Sequence, residues 1–167
     1  AAIASNIGPG IVIAAFQAKG TRLPPGQERP IVPKTENLSD YGVAVLRVPG
    51  SDAYAALAWG RHLVHGHFNK LSVNAYGKGG WFMRNVFGAY GAGFSEYLEA
   101  TAGSSTLMVD GRSQYADTGE LLMLEDAGAI QMASAREVGA WKDVEHERSV
   151  VLTADWMLVL DRVVSDQ

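Results

Sequence analysis

The sequence predicts an all-β protein, an antiparallel β-sandwich, and three observations support this prediction. Short runs rich in Val, Leu, Tyr and Met recur after residue 40, and Gly, Asp and Ser turns separate them. Their spacing of roughly 8–12 residues is typical of sandwiches and barrels. No stretch after residue 40 shows a helical period of comparable strength.

The predicted strands cover most of the chain after residue 40. Alternation of apolar and polar side chains is clearest in Val43–Val48 and Met157–Val163. Asp110-Gly111 and Ala154-Asp155 are typical of turns between paired strands. The alternating polar run Asp143–Arg148 is predicted to face solvent. The predicted strands are 42–48, 53–59, 71–76, 80–84, 106–110, 120–125, 129–136, 148–153 and 156–164.

A change in amino-acid composition along the chain predicts two parts, 1–37 and 38–167. Residues 1–20 are small and apolar, and residues 21–40 are rich in proline, which favours an extended linker. The second part carries all the predicted strands of the sandwich. We expect its sheet to continue past the last strand, because a strand of this strength needs partners or a protected edge.

Composition excludes several classes of protein. The net charge is −4, so there is no basic footprint for nucleic acid. The apolar run Ile11–Phe16 is too short to span a bilayer, and the absence of cysteine excludes disulfides and thiolate metal sites. We therefore expect neither a nucleic-acid partner nor a membrane partner. We favour a periplasmic or extracellular location, which the sequence does not determine.

Histidines gather between two predicted strands. Three of the four histidines lie within the six positions 62–67. His65 and His67 are separated by one residue, so on an extended chain their side chains point to the same face. Two imidazoles on one face can bind a metal, or one can bind metal while the other meets substrate. A surface turn that gathers histidines by chance explains the spacing equally well.

The segment His65–Ser72, which reads HGHFNKLS, resembles the HGHFDKLS block of the heparinase II/III-like and alginate lyase family of polysaccharide lyases. The similarity covers about residues 38–166, and the order and spacing of its motifs together are fairly specific. The other matching segments are Asp40–Arg47, Tyr76-Gly77, Thr101, Thr106–Gly111, Gln114, Ser134–Glu137 and Arg148–Val150.

The resemblance implies an enzyme of two parts, an (α/α) toroid followed by an antiparallel sandwich, with the cleft between them. Residues 1–20 would be a short remnant of the toroid. Such lyases cleave uronate-containing polysaccharides, such as alginate or a glycosaminoglycan, by β-elimination. One group neutralises the carboxylate, a base removes the C5 proton, and an acid protonates the C4 oxygen. This chain would supply the sandwich side of the cleft and contact an anionic polysaccharide or oligosaccharide.

The resemblance also assigns a metal site that has lost ligands. His65 corresponds to the family's substrate-facing histidine, and His67 corresponds to a zinc ligand. Asn85 and Ser104 stand where the family has its other two ligands, and Asn69 stands where it usually has Asp. Asn and Ser are poor zinc ligands, so we expect no tightly bound zinc and no other cofactor. The alternative function is a catalytically degenerate, lyase-like sandwich with a carbohydrate-binding or structural role.

Further candidates surround this segment. Tyr90 and Tyr97, in a glycine-rich stretch, are candidate catalytic residues beside His65, provided that positive charge lowers a tyrosine pKa of about 10. Packing, or stacking on sugars, is the other interpretation of these tyrosines. The candidate substrate-binding residues are Arg61, Lys70, Arg84 and Trp81.

Overall fold

Nine strands form two antiparallel sheets in the computed structural model, which describes residues 34–61, 67–85, 97 and 99–165. The strands are β1 (Glu36–Leu38), β2 (Val43–Arg47), β3 (Tyr54–Ala58), β4 (Val73–Gly77), β5 (Gly80–Met83), β6 (Glu120–Ala127), β7 (Ile130–Trp141), β8 (Val144–Leu152) and β9 (Met157–Ser165). The first sheet has the order β1-β2-β3-β4-β5, and the second has the order β6-β7-β8-β9. The prediction of an antiparallel β-sandwich is confirmed.

Small side chains line the core between the two sheets. Alanines and larger aliphatic residues share the inner faces, so the sheets pack closely around a continuous apolar layer. The buried core residues are Ala44, Leu46, Val48, Ala53, Ala55, Leu57, Leu71, Val73 and Ala75 on the side of the first sheet, and Ala133, Ala135, Val150 and Leu152 in the second.

One predicted strand is wrong. Residues 106–110 form only an isolated bridge, in which Val109 pairs with Arg112. The turn predicted at Asp110-Gly111 is present, and both of its residues have positive φ, 52° and 67°. Before this turn, the side-chain hydroxyl of Thr106 donates a hydrogen bond to Lys70 O, which is not part of a strand. Strand β1 was not predicted, and it lies at the end of the proline-rich stretch.

Two glycines bring the ends of β2 and β3 into close contact. A Cβ atom on Gly42 would lie 1.9 Å from the Cα of Gly60, so no side chain fits there. Gly42 also has a φ of 62°, which glycine adopts without strain. Its carbonyl oxygen accepts hydrogen bonds from the N–H groups of Trp59 and Gly60 at 2.7 Å and 2.8 Å. This contact fixes the point at which the chain leaves β3.

The chain divides into two compact units, Ala1–Pro33 and Lys34–Gln167. The first unit, which includes the predicted toroid remnant, lies outside the described residues. Within the described part of the chain, no helix has the length and apolar character that a membrane crossing requires.

Candidate functional site

The candidate site lies where β3 ends, β4 begins and β5 ends, along the edge of the first sheet that is formed by strand ends and not by an outermost strand. The antiparallel register places Leu57 opposite Val73 and Ala75 opposite Met83, so these three strand ends meet. The segment 67–72 crosses this edge. Phe68 N donates to Glu99 O at 2.9 Å, which ties the segment to the residues that precede Thr101.

Gln114 holds the segment as a neighbouring strand would. Its side-chain oxygen accepts a hydrogen bond from Lys70 N at 2.7 Å, and its side-chain nitrogen donates to Lys70 O at 3.2 Å. Gln114 N in turn donates to the Thr101 hydroxyl at 2.8 Å, and that hydroxyl donates to Phe68 O at 2.6 Å. Gln114 and Thr101 are buried, so these bonds are shielded from water and fix the backbone after His67.

Arg148 reaches the same edge from the second sheet. Its Nη1 donates to Leu71 O at 2.8 Å and to Ser105 O at 2.6 Å. Its Nε and Nη2 donate to the two carboxylate oxygens of Asp161 at 2.7 Å and 2.9 Å. A guanidinium fits this arrangement because its donors form a rigid planar fork. Arg148 therefore joins the two loops of the site to β9.

The prediction that the run Asp143–Arg148 faces solvent is wrong for its alternate residues Val144, His146 and Arg148. His146 is fully buried and Arg148 is 6% exposed. The cause is the alternation of β8, which places both side chains on the inner face with Val150 and Leu152. The inner face of the sandwich is thus apolar at one end and polar at the end below the site.

Burial and pairing set the charges of this polar end. Burial lowers the pKa of His146, although its hydrogen bond to Asp161 at 2.7 Å opposes that shift. Burial alone would raise the pKa of Asp161, but the hydrogen bonds from Arg148 and His146 bring it below its ordinary value. Asp161 is therefore the anion that balances the buried Arg148 guanidinium.

Lys70 is part of this buried region and not of the surface. It is 6% exposed, and burial lowers its pKa while Asp117 and Glu137 act to raise it. Burial raises the pKa of Glu137 to about 7, and a backbone hydrogen bond from Ala140 opposes the shift. An ammonium in this position does not have the exposure that the predicted substrate contact requires.

The three predicted metal positions differ in what their side chains do. Asn85 is buried, and its amide donates to the Ser72 hydroxyl and accepts from Ser105 N, both at 2.9 Å. The Ser104 hydroxyl oxygen is buried with no hydrogen-bond partner among the described residues. The side chain of His67 is half-buried.

These donors do not fit a tight zinc site. One imidazole, an amide that is already engaged and a hydroxyl make a poor donor set. In the described part of the chain, no group of three His, Cys, Asp or Glu residues has the arrangement needed to hold a metal ion.

The remaining candidates divide between this edge and the opposite end of β5. Arg61 and Arg84 are exposed and lie just beyond the ends of β3 and β5. The side chain of Tyr97 is 53% exposed, and its hydroxyl donates to Ala102 O at 3.4 Å. Trp81 lies at the other end of β5, opposite Tyr76. The predicted catalytic residues His65 and Tyr90 lie outside the described residues.

Sequence reasoning did not identify the buried polar residues that position the site. In the sequence, Arg148, Gln114 and Glu137 stand out only as members of segments that resemble the lyase family. The signal for Arg148 was present, because strand alternation puts it on the same face as Val150 and Leu152. Nothing in the local sequence around Gln114 predicts that it pairs with a backbone 44 residues away.

Comparison with known proteins extends the resemblance to the level of the fold. No family model and no curated protein matches the sequence. Among solved structures, a heparinase III matches with a TM-score of 0.68 and 15% identity over 96% of this chain and 26% of its own. The heparan sulfate lyase HepC of Pedobacter heparinus has the same TM-score with 17% identity, over 96% and 26% of the two chains. A further heparinase III matches at 0.62 and 18%, over 76% and 22%.

This chain therefore spans about a quarter of the length of the solved structures that it matches, 26% for the first of them. At 15–18% identity the likeness shows the fold and not the activity. The expected resemblance is confirmed at that level: the chain has the β-sandwich fold found within heparinase III and heparan sulfate lyase structures.

Proposed function

We propose that this chain forms the sandwich side of a polysaccharide lyase that cleaves a uronate-containing anionic polymer by β-elimination. The observation that carries the proposal is the fold, which superimposes on heparinase III and HepC with TM-scores of 0.68. The resemblance of His65–Ser72 to the lyase block supports a site at one edge of the first sheet. The helical toroid of such a lyase is the partner that the proposal requires.

Exposed cations at this edge support an anionic substrate. Arg61 and Arg84 follow the ends of β3 and β5, and the antiparallel register brings those ends to the same side of the sheet. A guanidinium binds a carboxylate through two parallel hydrogen bonds, so each arginine is suited to a uronate or sulfate group. The net charge of −4 is therefore compatible with local attraction of an anionic chain.

In the proposed reaction, an arginine neutralises the uronate carboxylate and thereby acidifies the C5 proton. Tyr97 or Tyr90 removes that proton, and His65 protonates the C4 oxygen as the C4–O bond breaks. The electrons of the C5–H bond form the C4=C5 double bond, so the leaving chain departs as an alcohol and the balance is closed.

A second candidate function is binding without catalysis. Asn85 and Ser104 favour it, because the first is committed to structural hydrogen bonds and the second supplies only a hydroxyl. In this case the site would hold an anionic polymer or stabilise the assembly without cleaving it. The two candidates differ in whether an unsaturated uronate is formed.

The test is an ultraviolet assay of the intact protein for the unsaturated uronate product, with heparan sulfate and alginate supplied separately. We expect product from one polymer class, and strong loss of turnover in His65→Ala. Arg84→Ala should lower kcat/KM, because the arginine binds an anionic group of the substrate. Arg162→Ala is the matched control, since Arg162 is exposed on β9 and paired with Glu145.

The outcomes separate the candidates. Product that disappears with His65→Ala establishes the lyase. Polymer binding without product, weakened by Arg84→Ala but not by Arg162→Ala, establishes the non-catalytic alternative. If the protein neither binds nor cleaves any uronate polymer, both candidate functions are overturned.

A further inference from the structure

One arginine and three aromatic residues form a row across the first sheet. The register places Arg47 opposite Tyr54, Tyr54 opposite Tyr76, and Tyr76 opposite Trp81. The row crosses β2, β3, β4 and β5 and spans roughly 14 Å. It lies on the outer face, because Ala75 beside Tyr76 belongs to the core and directly opposite residues share a face.

Ring contacts hold Trp81 in one orientation. Its ring centroid lies 5.4 Å from that of Tyr76 and 6.3 Å from that of Tyr54, with interplanar angles of 77° and 86°. Tyr54 is buried and carries the Arg47 guanidinium 5.7 Å from its own centroid. Edge-to-face and cation–π contacts of this kind stabilise a fixed arrangement. Trp81 nevertheless remains 41% exposed.

We propose that Trp81 is a distal sugar subsite that stacks against one ring of an anionic oligosaccharide extending from the candidate site. The inference rests on the proposed function, which supplies the polymer. Asn74 and Tyr76 lie on the same face of β4, about 7 Å apart. Asn74 accepts a hydrogen bond from Asn85 N at 2.8 Å, so the row lies on the face of β4 that contacts Asn85 of the candidate site.

The surroundings of Trp81 suit an anionic sugar. Lys78 and Arg84 are exposed cations three residues before and after Trp81 in the same hairpin. Lys78 is paired with Asp155 at 2.7 Å, but both groups are largely exposed, so this pair is weak and yields readily to a polymer charge.

Preorganisation gives the proposal a quantitative form. A fixed indole loses little conformational entropy when a sugar stacks on it. Truncation of Trp81 should therefore weaken binding of chains long enough to reach it and spare shorter chains. Trp156 provides the control, because it is exposed to a similar degree, 54%, on the turn between β8 and β9.

The experiment measures the affinity of size-defined heparan sulfate oligosaccharides for the intact protein in a His65→Ala background, which prevents turnover. We expect Trp81→Ala to weaken octasaccharide binding roughly five- to tenfold and disaccharide binding less than twofold. Trp81→Phe should recover most of the loss, and Trp156→Ala should have no effect. The indole N–H resonance of Trp81 should shift on addition of octasaccharide.

Three results would overturn the subsite: equal affinities of Trp81→Ala and its parent for octasaccharide, equal losses for both chain lengths, or an equal loss in Trp156→Ala. Failure of the lyase proposal is a separate result. A wild-type protein that forms no unsaturated product but shows the length-dependent effect of Trp81→Ala retains the subsite and loses only the chemistry.

Discussion

Arg148 on β8 and Asp161 on β9 form a bidentate ion pair, with distances of 2.7 Å and 2.9 Å. The third guanidinium nitrogen, Nη1, points toward the first sheet. Nη1 donates hydrogen bonds to Leu71 O and Ser105 O, which belong to the two loops of the candidate site. The loops are thus positioned by a charge on the opposite sheet. Stability and site geometry depend here on the same side chain.

Arg148→Lys tests this dependence. A lysine ammonium lacks the planar fork, so it leaves some of the four acceptors without a donor. We expect the free energy of unfolding to fall by about 2–4 kcal/mol, measured by urea denaturation. Arg162→Lys, at an exposed pair, should change it by less than about 0.5 kcal/mol. Equal effects of the two substitutions would contradict the role given to Arg148.

Glu137→Gln tests the buried carboxyl group. The folded pKa of Glu137, about 7, lies above the reference value of 4.5, so the folded protein binds more protons between these pH values. The free energy of unfolding therefore falls by up to about 3 kcal/mol as pH rises through this range. Above pH 7 it stays at this lower value, because the buried carboxylate is then ionised. Gln cannot ionise, and its oxygen still accepts the Ala140 N–H bond.

The measurement is urea denaturation of both proteins at pH 5 and pH 8. We expect the stability of the variant relative to wild type to be greater at pH 8 than at pH 5. Glu125→Gln, at an exposed position of β6, is the control for a change of net charge. A Glu137→Gln difference that is the same at both pH values would refute the effect of burial.

Strand periodicity predicted most of the fold, because period-two alternation reports directly on which side of a sheet is buried. Eight of the nine predicted strands coincide with observed ones. The remaining one, 106–110, is wrong: at its start the Thr106 hydroxyl donates to Lys70 O, and the carbonyl of the preceding residue, Ser105, accepts from Arg148. Local propensity carries no information about such long-range bonds.

The site was less predictable than the fold for the same reason. Composition suggested that His146 was solvated and that Lys70 reached substrate, since charged residues are usually exposed. Both are buried, because Asp161 on β9 forms a hydrogen bond with His146, and Asp117 and Glu137 provide opposite charge for Lys70. Whether a charged side chain is buried depends on partners that only the folded register brings together.

Gly42→Ala tests the close contact at the start of the candidate site. The new Cβ would lie 1.9 Å from the Gly60 Cα, and the φ of 62° would add strain. Gly50→Ala separates the two effects, because Gly50 has a φ of 72° but no heavy atom of the described residues lies within 4 Å of the position that its Cβ would take. We expect Gly50→Ala to cost about 1–2 kcal/mol and Gly42→Ala to cost more than about 3 kcal/mol, measured by thermal or urea unfolding. Similar costs for both would show that β2 and β3 tolerate separation at this point.

Zinc affinity provides the most direct test of the altered donor set. We expect the wild-type protein to lose zinc on dialysis, because Asn85 and Ser104 offer an amide and a hydroxyl. Asn85→Asp with Ser104→His places a carboxylate and an imidazole at the positions that correspond to the family's two other zinc ligands. The Ser72 hydroxyl, which accepts from Asn85 at 2.9 Å, can rotate to donate to the new carboxylate, so the fold should tolerate the change. The double variant should retain about one zinc per chain by elemental analysis, and Asn85→Asp with Ser104→Ala should not. Stoichiometric zinc that resists dialysis in the wild type would show that the present residues already suffice.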